Sequence, residues 1–192
     1  AAVALGLWLT RASVAGAKAE AGPHPSDAMR ATAAWNFDGA PREASGRGLH
    51  GSAVRIAPTT DRFGRIDRAL WFNGGAVVVV ADSPLLRVGG RDPFTAAVWL
   101  KHHEAPNTTG MIWRAAVTEL GALNWGLALN QGRAQAYLRS EHTVGRDCEV
   151  TARGELTVGK WHHLALVSDG RTLTLLVDGE TSGTVPLGVM RA

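Results

Sequence analysis

"GKWHHLALVSDGRTLTLLVDG" (residues 159–179) is the stretch whose reading decides the fold. Ser168-Asp169-Gly170 and Asp178-Gly179 are turn sequences. Between them Leu173, Leu175 and Val177 alternate with Thr172 and Thr174, the period of two expected of a strand with one buried face. Upstream, Trp161 and His163 fall on one face of a second strand, and Leu164 and Leu166 on the other. The stretch therefore predicts a β-hairpin. Paired histidines invite a metal or proton-transfer reading, because neutral imidazole is a common ligand and proton shuttle. Neighbours on a strand point to opposite faces, so His162 and His163 are badly placed to chelate one ion. We read them as part of the frame, one hydrogen-bonded at the sandwich and the other solvated. The same objection applies to His102-His103.

Outward from this hairpin the chain repeats the same grammar. In "DPFTAAVWLKHH" (92–103), Phe94, Ala96, Val98 and Leu100 alternate with Thr95, Ala97, Trp99 and Lys101. "RALWFNGGAVVVVADSPLL" (68–86) holds two β-rich runs around Asn73-Gly74-Gly75, a hairpin signal. "GMIWRAAV", "NWGLALN" and "RAQAYLRS" follow at intervals of about ten residues, the rhythm of a sandwich or barrel. A first strand is expected over about 33–38. Twenty-three glycines and eight prolines in 192 residues favour turns over helices, and 45% hydrophobic residues suffice for one core. The chain is read as all-β, with no helix longer than two turns.

The formal charge is +3, but the basic residues are scattered, without the clustered footprint of a nucleic-acid binder. Cys148 is the only cysteine, so no internal disulfide exists. The apolar "AAVALGLWLT" followed by small residues with Ala-x-Ala spacing reads as the end of a secretory signal, or of a membrane anchor flanked by Arg11. Its start with Ala suggests a cut N-terminus. Residues 1–30 are therefore assigned to a partial signal or anchor plus linker, and 31–192 to the folded domain. Both readings place the domain outside the cell, secreted or at its surface.

"ALWFNGG", "DPFTAAVWLK" and "GKWHHLALVSDGRTLTLLVDGE" together resemble the LamG-like modules of the concanavalin A-like lectin/glucanase superfamily, over about residues 33–185. The resemblance implies a two-sheet antiparallel jelly-roll sandwich. It also implies a non-catalytic binding or adhesion module of a larger protein, with a glycan or extracellular protein as ligand. Its other partners are neighbouring domains of the same polypeptide, with no nucleic acid and with membrane contact only through an N-terminal anchor. Some members bind calcium. Here Phe72-Asn73-Gly74-Gly75 stands where the family usually has acidic residues, removing carboxylates that calcium needs, so no cofactor is expected. The family also closes with a strand after the Val-Asp-Gly hairpin. The sequence here stops at "GTVPLGVMRA", which suggests truncation at this end too, and an open edge on the strand near Trp35 to Asp38.

Glucan-cleaving enzymes on this fold place carboxylates about 5–5.5 Å apart across the scissile bond when they retain configuration. The nearest candidate is Asp147 with Glu149, preceded by Glu141, and an alternative reading as a glycan hydrolase or lyase would rest on it. A third reading is a purely structural accessory domain. Trp35, Trp71, Trp99 and Trp161 lie in apolar strands and are expected in the core. Trp113, Arg114, Asn124, Trp125, Tyr137 and Arg139 combine aromatic faces with polar neighbours and form the expected ligand-binding face. Asn107-Thr108-Thr109 fits the N-glycosylation pattern.

Overall fold

A computed structural model of the chain describes residues 2–10, 31–87, 92–103, 108–118, 121–139 and 148–188, with the backbone alone at 2–10, 108–111, 113–118, 121–124 and 139. Among these residues there is no α-helix, only a short 3₁₀ turn at Pro84–Leu86. Twelve strands run in chain order: β1 (Ala2–Thr10), β2 (Ala33–Trp35), β3 (Gly51–Thr59), β4 (Ala69–Val80), β5 (Phe94–His102) and β6 (Thr108–Thr118). They continue with β7 (Gly121–Asn130), β8 (Arg133–Arg139), β9 (Cys148–Glu155), β10 (Trp161–Ser168), β11 (Thr172–Val177) and β12 (Glu180–Pro186). The large sheet has the order β12-β11-β10-β5-β1-β4-β3, with β2 also on β1; the small sheet has the order β6-β7-β8-β9. Every pairing is antiparallel.

The alternation read in the sequence decides which side chains meet between the sheets. Phe94, Ala96, Val98 and Leu100 of β5, Leu164 and Leu166 of β10, and Leu173 and Leu175 of β11 all face inward from the large sheet. Trp125, Leu127 and Leu129 of β7 and Ala136 and Leu138 of β8 meet them from the small one. Each large side chain fully removed from water there contributes about 1.5–3 kcal/mol. A second cluster gathers Ala33, Trp35, Phe37 and Leu70 beneath the 41–51 loop. The buried Glu43 carboxylate organises that loop by accepting the backbone N–H groups of Ala34, Ser45, Arg47 and Gly48.

The structure departs from the sequence reading in three places. Asn73-Gly74 does not turn a hairpin, and β4 runs through it as one twelve-residue strand. Val54 pairs with Val77 and Ile56 with Phe72, so only Arg55 faces the four residues 73–76. Arg55, Gly74 and Gly75 all have positive φ, and the two glycines supply a wide bulge where the family-like motif promised a turn. Secondly, only Trp35 among the four expected core tryptophans is buried; Trp71, Trp99 and Trp161 are half-buried on the outer face. Thirdly, Ala2–Thr10 is a strand in this chain, pairing with β5 along Ala2–Thr10 and with β4 and β2 on its other side. An apolar run with no polar face suits a central strand as well as a signal sequence. Residues 11–30 lie outside the described residues.

Candidate functional site

The two histidines that opened the sequence reading are frame residues, locked by one carboxylate. Asp178 closes the β11–β12 turn with φ 51°. Its Oδ2 lies 2.7 Å from His162 Nδ1, and its Oδ1 accepts the His163 backbone N–H at 2.7 Å. A proton on Nδ1 leaves Nε2 free to accept the Thr157 N–H at 3.1 Å, so one tautomer satisfies both contacts. His102 is fully buried, with Nε2 3.3 Å from the Leu156 carbonyl. Neither His162 nor His163 is the solvated residue expected of the pair, since both are half-buried; His163 packs on an indole. Its ring lies 5.1 Å from that of Trp99, centroid to centroid.

That contact belongs to a larger arrangement on the outer face of the large sheet. Register sets Trp161 opposite Lys101 and His163 opposite Trp99. Side chains two apart on a strand share a face, and cross-strand partners share it as well. The four positions therefore form a checkerboard with indoles on one diagonal and basic groups on the other. Lys101 Nζ sits 5.4 Å from the Trp161 ring centroid, and His103 packs 4.7 Å from Trp71.

A loop just before β4 completes the face. The buried Asp61 carboxylate accepts the backbone N–H groups of Phe63 (2.8 Å) and Arg65 (2.9 Å), and Arg65 Nε at 2.7 Å. Gly64 takes φ +81°, a conformation that L side chains rarely adopt. The loop so fixed stacks the Arg62 guanidinium between two rings, 4.0 Å from Phe63 and 4.2 Å from Trp99. Phe63 and Ile66 project beside it, 60% and 77% exposed.

Burial holds the His163 pKa below its ordinary value; Asp178 partly offsets this, and Arg62 adds to the depression. The imidazole is therefore neutral at physiological pH. Burial also works against ionisation of Asp61, but the hydrogen bonds from Arg65 and Phe63 outweigh it and keep the carboxyl ionised below its usual range. The resulting surface offers flat apolar area with fixed cations beside it, the equipment for binding. Among the described residues no three His, Cys, Asp or Glu side chains gather closely enough to hold a metal ion.

In the backbone register of the small sheet, four of the expected ligand-binding positions, Trp113, Asn124, Tyr137 and Arg139, share one face, and Arg114 and Trp125 fall on the other. Trp113, Gly126, Tyr137 and Glu149 occupy one cross-strand row of the small sheet, and Arg114, Trp125, Leu138 and Cys148 the next. Adjacent rows fall on opposite faces. Trp125 is a core residue, 5% exposed and 5.6 Å from the Phe94 ring. Tyr137 lies over Gly126, where an added Cβ would fall 2.6 Å from its ring. Asn124 and Arg139 pair directly in the backbone register; the side chains of Trp113, Arg114, Asn124 and Arg139 are outside the described residues. Of the alternative acid pair, Asp147 lies outside them, as does the preceding Glu141, while Glu149 accepts a hydrogen bond from Gln135 Nε2 at 2.6 Å. Sequence reasoning missed Arg62 and Phe63 altogether. The available signal was the Asp61 to Gly64 spacing of a tight turn carrying an aromatic next to a cation.

A profile described as the concanavalin A-like lectin/glucanases superfamily, of the laminin G type, matches residues 72–190, more than half of the chain. The chain belongs to that superfamily. Its matched region spans the checkerboard strands β5 and β10 but not the 61–66 loop. Among solved structures the mouse laminin alpha1 chain, domains LG4-5, is similar at 18% identity and a TM-score of 0.44, covering 54% of this chain and 26% of that one. This laminin G-type chain thus spans about a quarter of the length of that structure. A comparison with curated proteins found no match.

Proposed function

We propose that the chain is a non-catalytic binding module of a larger secreted or cell-surface protein, and that it takes a glycan on the outer face of the large sheet. Membership of the superfamily supports a binding role of this kind, although the superfamily also includes enzymes. The observation that carries the choice of face is the diagonal of Trp99 and Trp161, half-exposed indoles held by β5 and β10 beside Lys101 and Arg62. Sugar rings present flat C–H faces that pack on such indoles, and the neighbouring polar groups fix orientation.

The test is retention of the full chain on a glycan array, run beside an assay for new reducing ends on the retained polysaccharides. Retention without cleavage is expected. Cleavage would favour the hydrolase or lyase reading, and silence in both assays the structural one. Amino-terminal sequencing of the protein recovered from the medium of its native host tests the secreted assignment.

A further inference from the structure

We infer that Asn73 is a self-modification site: in the folded chain the backbone nitrogen of Gly74 attacks the Asn73 side-chain amide, and water completes its conversion to aspartate and isoaspartate. The outer-face binding site does not depend on this residue.

The chemistry begins in the sequence. Of the five asparagines, Asn36, Asn73, Asn107, Asn124 and Asn130, Asn73 alone precedes a glycine. The attacking nitrogen must close a five-membered ring on the side-chain carbonyl carbon, and a Cβ on the following residue crowds that approach. Gly74 has none.

The fold leaves the reacting bond open. Asn73 and Gly74 are exposed, and among the described residues the Asn73 side chain makes no hydrogen bond. Register runs from Ile56 opposite Phe72 to Val54 opposite Val77 and gives residues 73–76 no paired position. The β3–β4 ladder is thus interrupted where a regular strand would hold the Gly74 nitrogen. A Cβ built on Gly74 would meet nothing within 4 Å, so no neighbouring segment blocks ring closure. The Asp-Gly pairs at 38–39, 169–170 and 178–179 differ. Asp38 is paired with Arg68, Asp169 accepts the N–H groups of Arg171 and Thr172, and Asp178 clasps His162 and the His163 N–H. An ionised carboxylate held in this way is also a poorer electrophile than an amide.

The steps balance with water alone. Hydroxide takes the Gly74 N–H proton, the nitrogen bonds to Asn73 Cγ, the Cγ–Nδ2 bond breaks, and the amide nitrogen leaves as ammonia after taking a proton from water. Water then opens the succinimide ring. Cleavage of the new Cγ–N bond gives aspartate; cleavage of the original peptide C–N bond gives isoaspartate, with one more main-chain atom inside the bulge. Nothing is oxidised or reduced, and either product carries a new carboxylate. Arg55 supplies the facing cation: its Nη1 would lie 3.6 Å from a Cβ on Gly75, and it has no ion-pair partner among the described residues.

The experiment incubates the full chain at neutral and mildly alkaline pH, natively and in urea, and follows each asparagine by peptide mapping, ammonia release and enzymatic methylation of isoaspartate. In the native chain the Asn73 amide should be lost at least about tenfold faster than the other four, and no more than about tenfold more slowly than in urea. The loss should quicken with pH and yield both acids. N73Q, which keeps both bulge glycines, should abolish the isoaspartate, and G74A should slow the loss about tenfold. Equal circular dichroism of N73Q and wild type separates lost chemistry from lost fold. An Asn73 amide that persists natively while it is lost in urea would overturn the inference, as would native ammonia release unchanged in N73Q. Either result leaves the glycan-module reading intact.

Discussion

Asp178 and His162 are joined by a 2.7 Å contact between Oδ2 and Nδ1, and the same carboxylate takes the His163 backbone N–H through its other oxygen. This couples the Trp-His-His strand to the Val-Asp-Gly turn, fifteen to sixteen residues apart. The Asp178 N–H returns the bond by donating to the His163 carbonyl at 2.8 Å. A motif that looked like chemistry is a clasp.

Asp178→Ala should therefore loosen the β10–β11 hairpin and cost about 1–2 kcal/mol, the worth of hydrogen bonds to a partly exposed charged group. Asp178→Asn keeps an acceptor and tolerates positive φ, so it should cost less than half as much. In a chain of this size each kcal/mol lowers the melting temperature by roughly 2–4 °C, which differential scanning calorimetry resolves.

His163 gives the fold a defined pH response. Its pKa is depressed in the folded chain by burial against Trp99, so the unfolded chain binds the proton more readily. The corresponding stability is complete above the unfolded value of about 6.5. It declines as pH falls below that value towards the depressed folded one. Glu43 and Asp61 have lowered pKa values and keep their contributions until the pH drops below their unfolded values, 4.5 and 3.8. Urea melts of the wild type between pH 7.5 and 5 should show a slope that H163Q removes.

Gly183 of β12 faces the small sheet so closely that an added Cβ would lie 2.5 Å from Val150 Cγ2. Val150 is β-branched and confined to few rotamers, so it yields poorly. Gly183→Ala should cost about 1–3 kcal/mol by overpacking. Combined with Val150→Ala it should cost less than the sum of the two single changes, a coupling that a double-mutant cycle measures.

Strand β1 sits in the interior of the large sheet, so its removal opens edges at the centre. Residues 31–192 alone would leave β5 with β10 as its one partner and an open edge from Thr95 to His102, β4 with β3 as its one partner, and β2 without its partner strand. Open apolar edges recruit other strands. The shortened chain should elute as dimers or larger species in size-exclusion chromatography, where the full chain elutes as a monomer.

Period-two alternation made the sandwich legible, because burial of one face is written residue by residue in β5, β10 and β11. Composition alone did not tell which face of a strand meets the other sheet when both are apolar. Trp99 and Trp161 looked like core for that reason, and the register with β10 shows them outside. Trp125 looked like a ligand contact because Asn124 precedes it, yet alternation turns the two residues to opposite faces. Asn73-Gly74 carried the sequence of a turn, but β3 pairs with β4 on both sides of it and converts the turn into a bulge. Arg62 was not legible, since its place depends on a loop that only Asp61 and Gly64 fix.

The most direct test of the outer-face site follows the tryptophan indole N–H signals of the full chain by NMR while a glycan retained on the array is added. Single Trp→Phe variants assign the seven indoles. The signals of Trp99 and Trp161 should shift together with increasing ligand, while those of the buried Trp35 and Trp125 stay in place. Shifts confined to Trp113, or no shift of Trp99 and Trp161 at saturating ligand, would contradict the account.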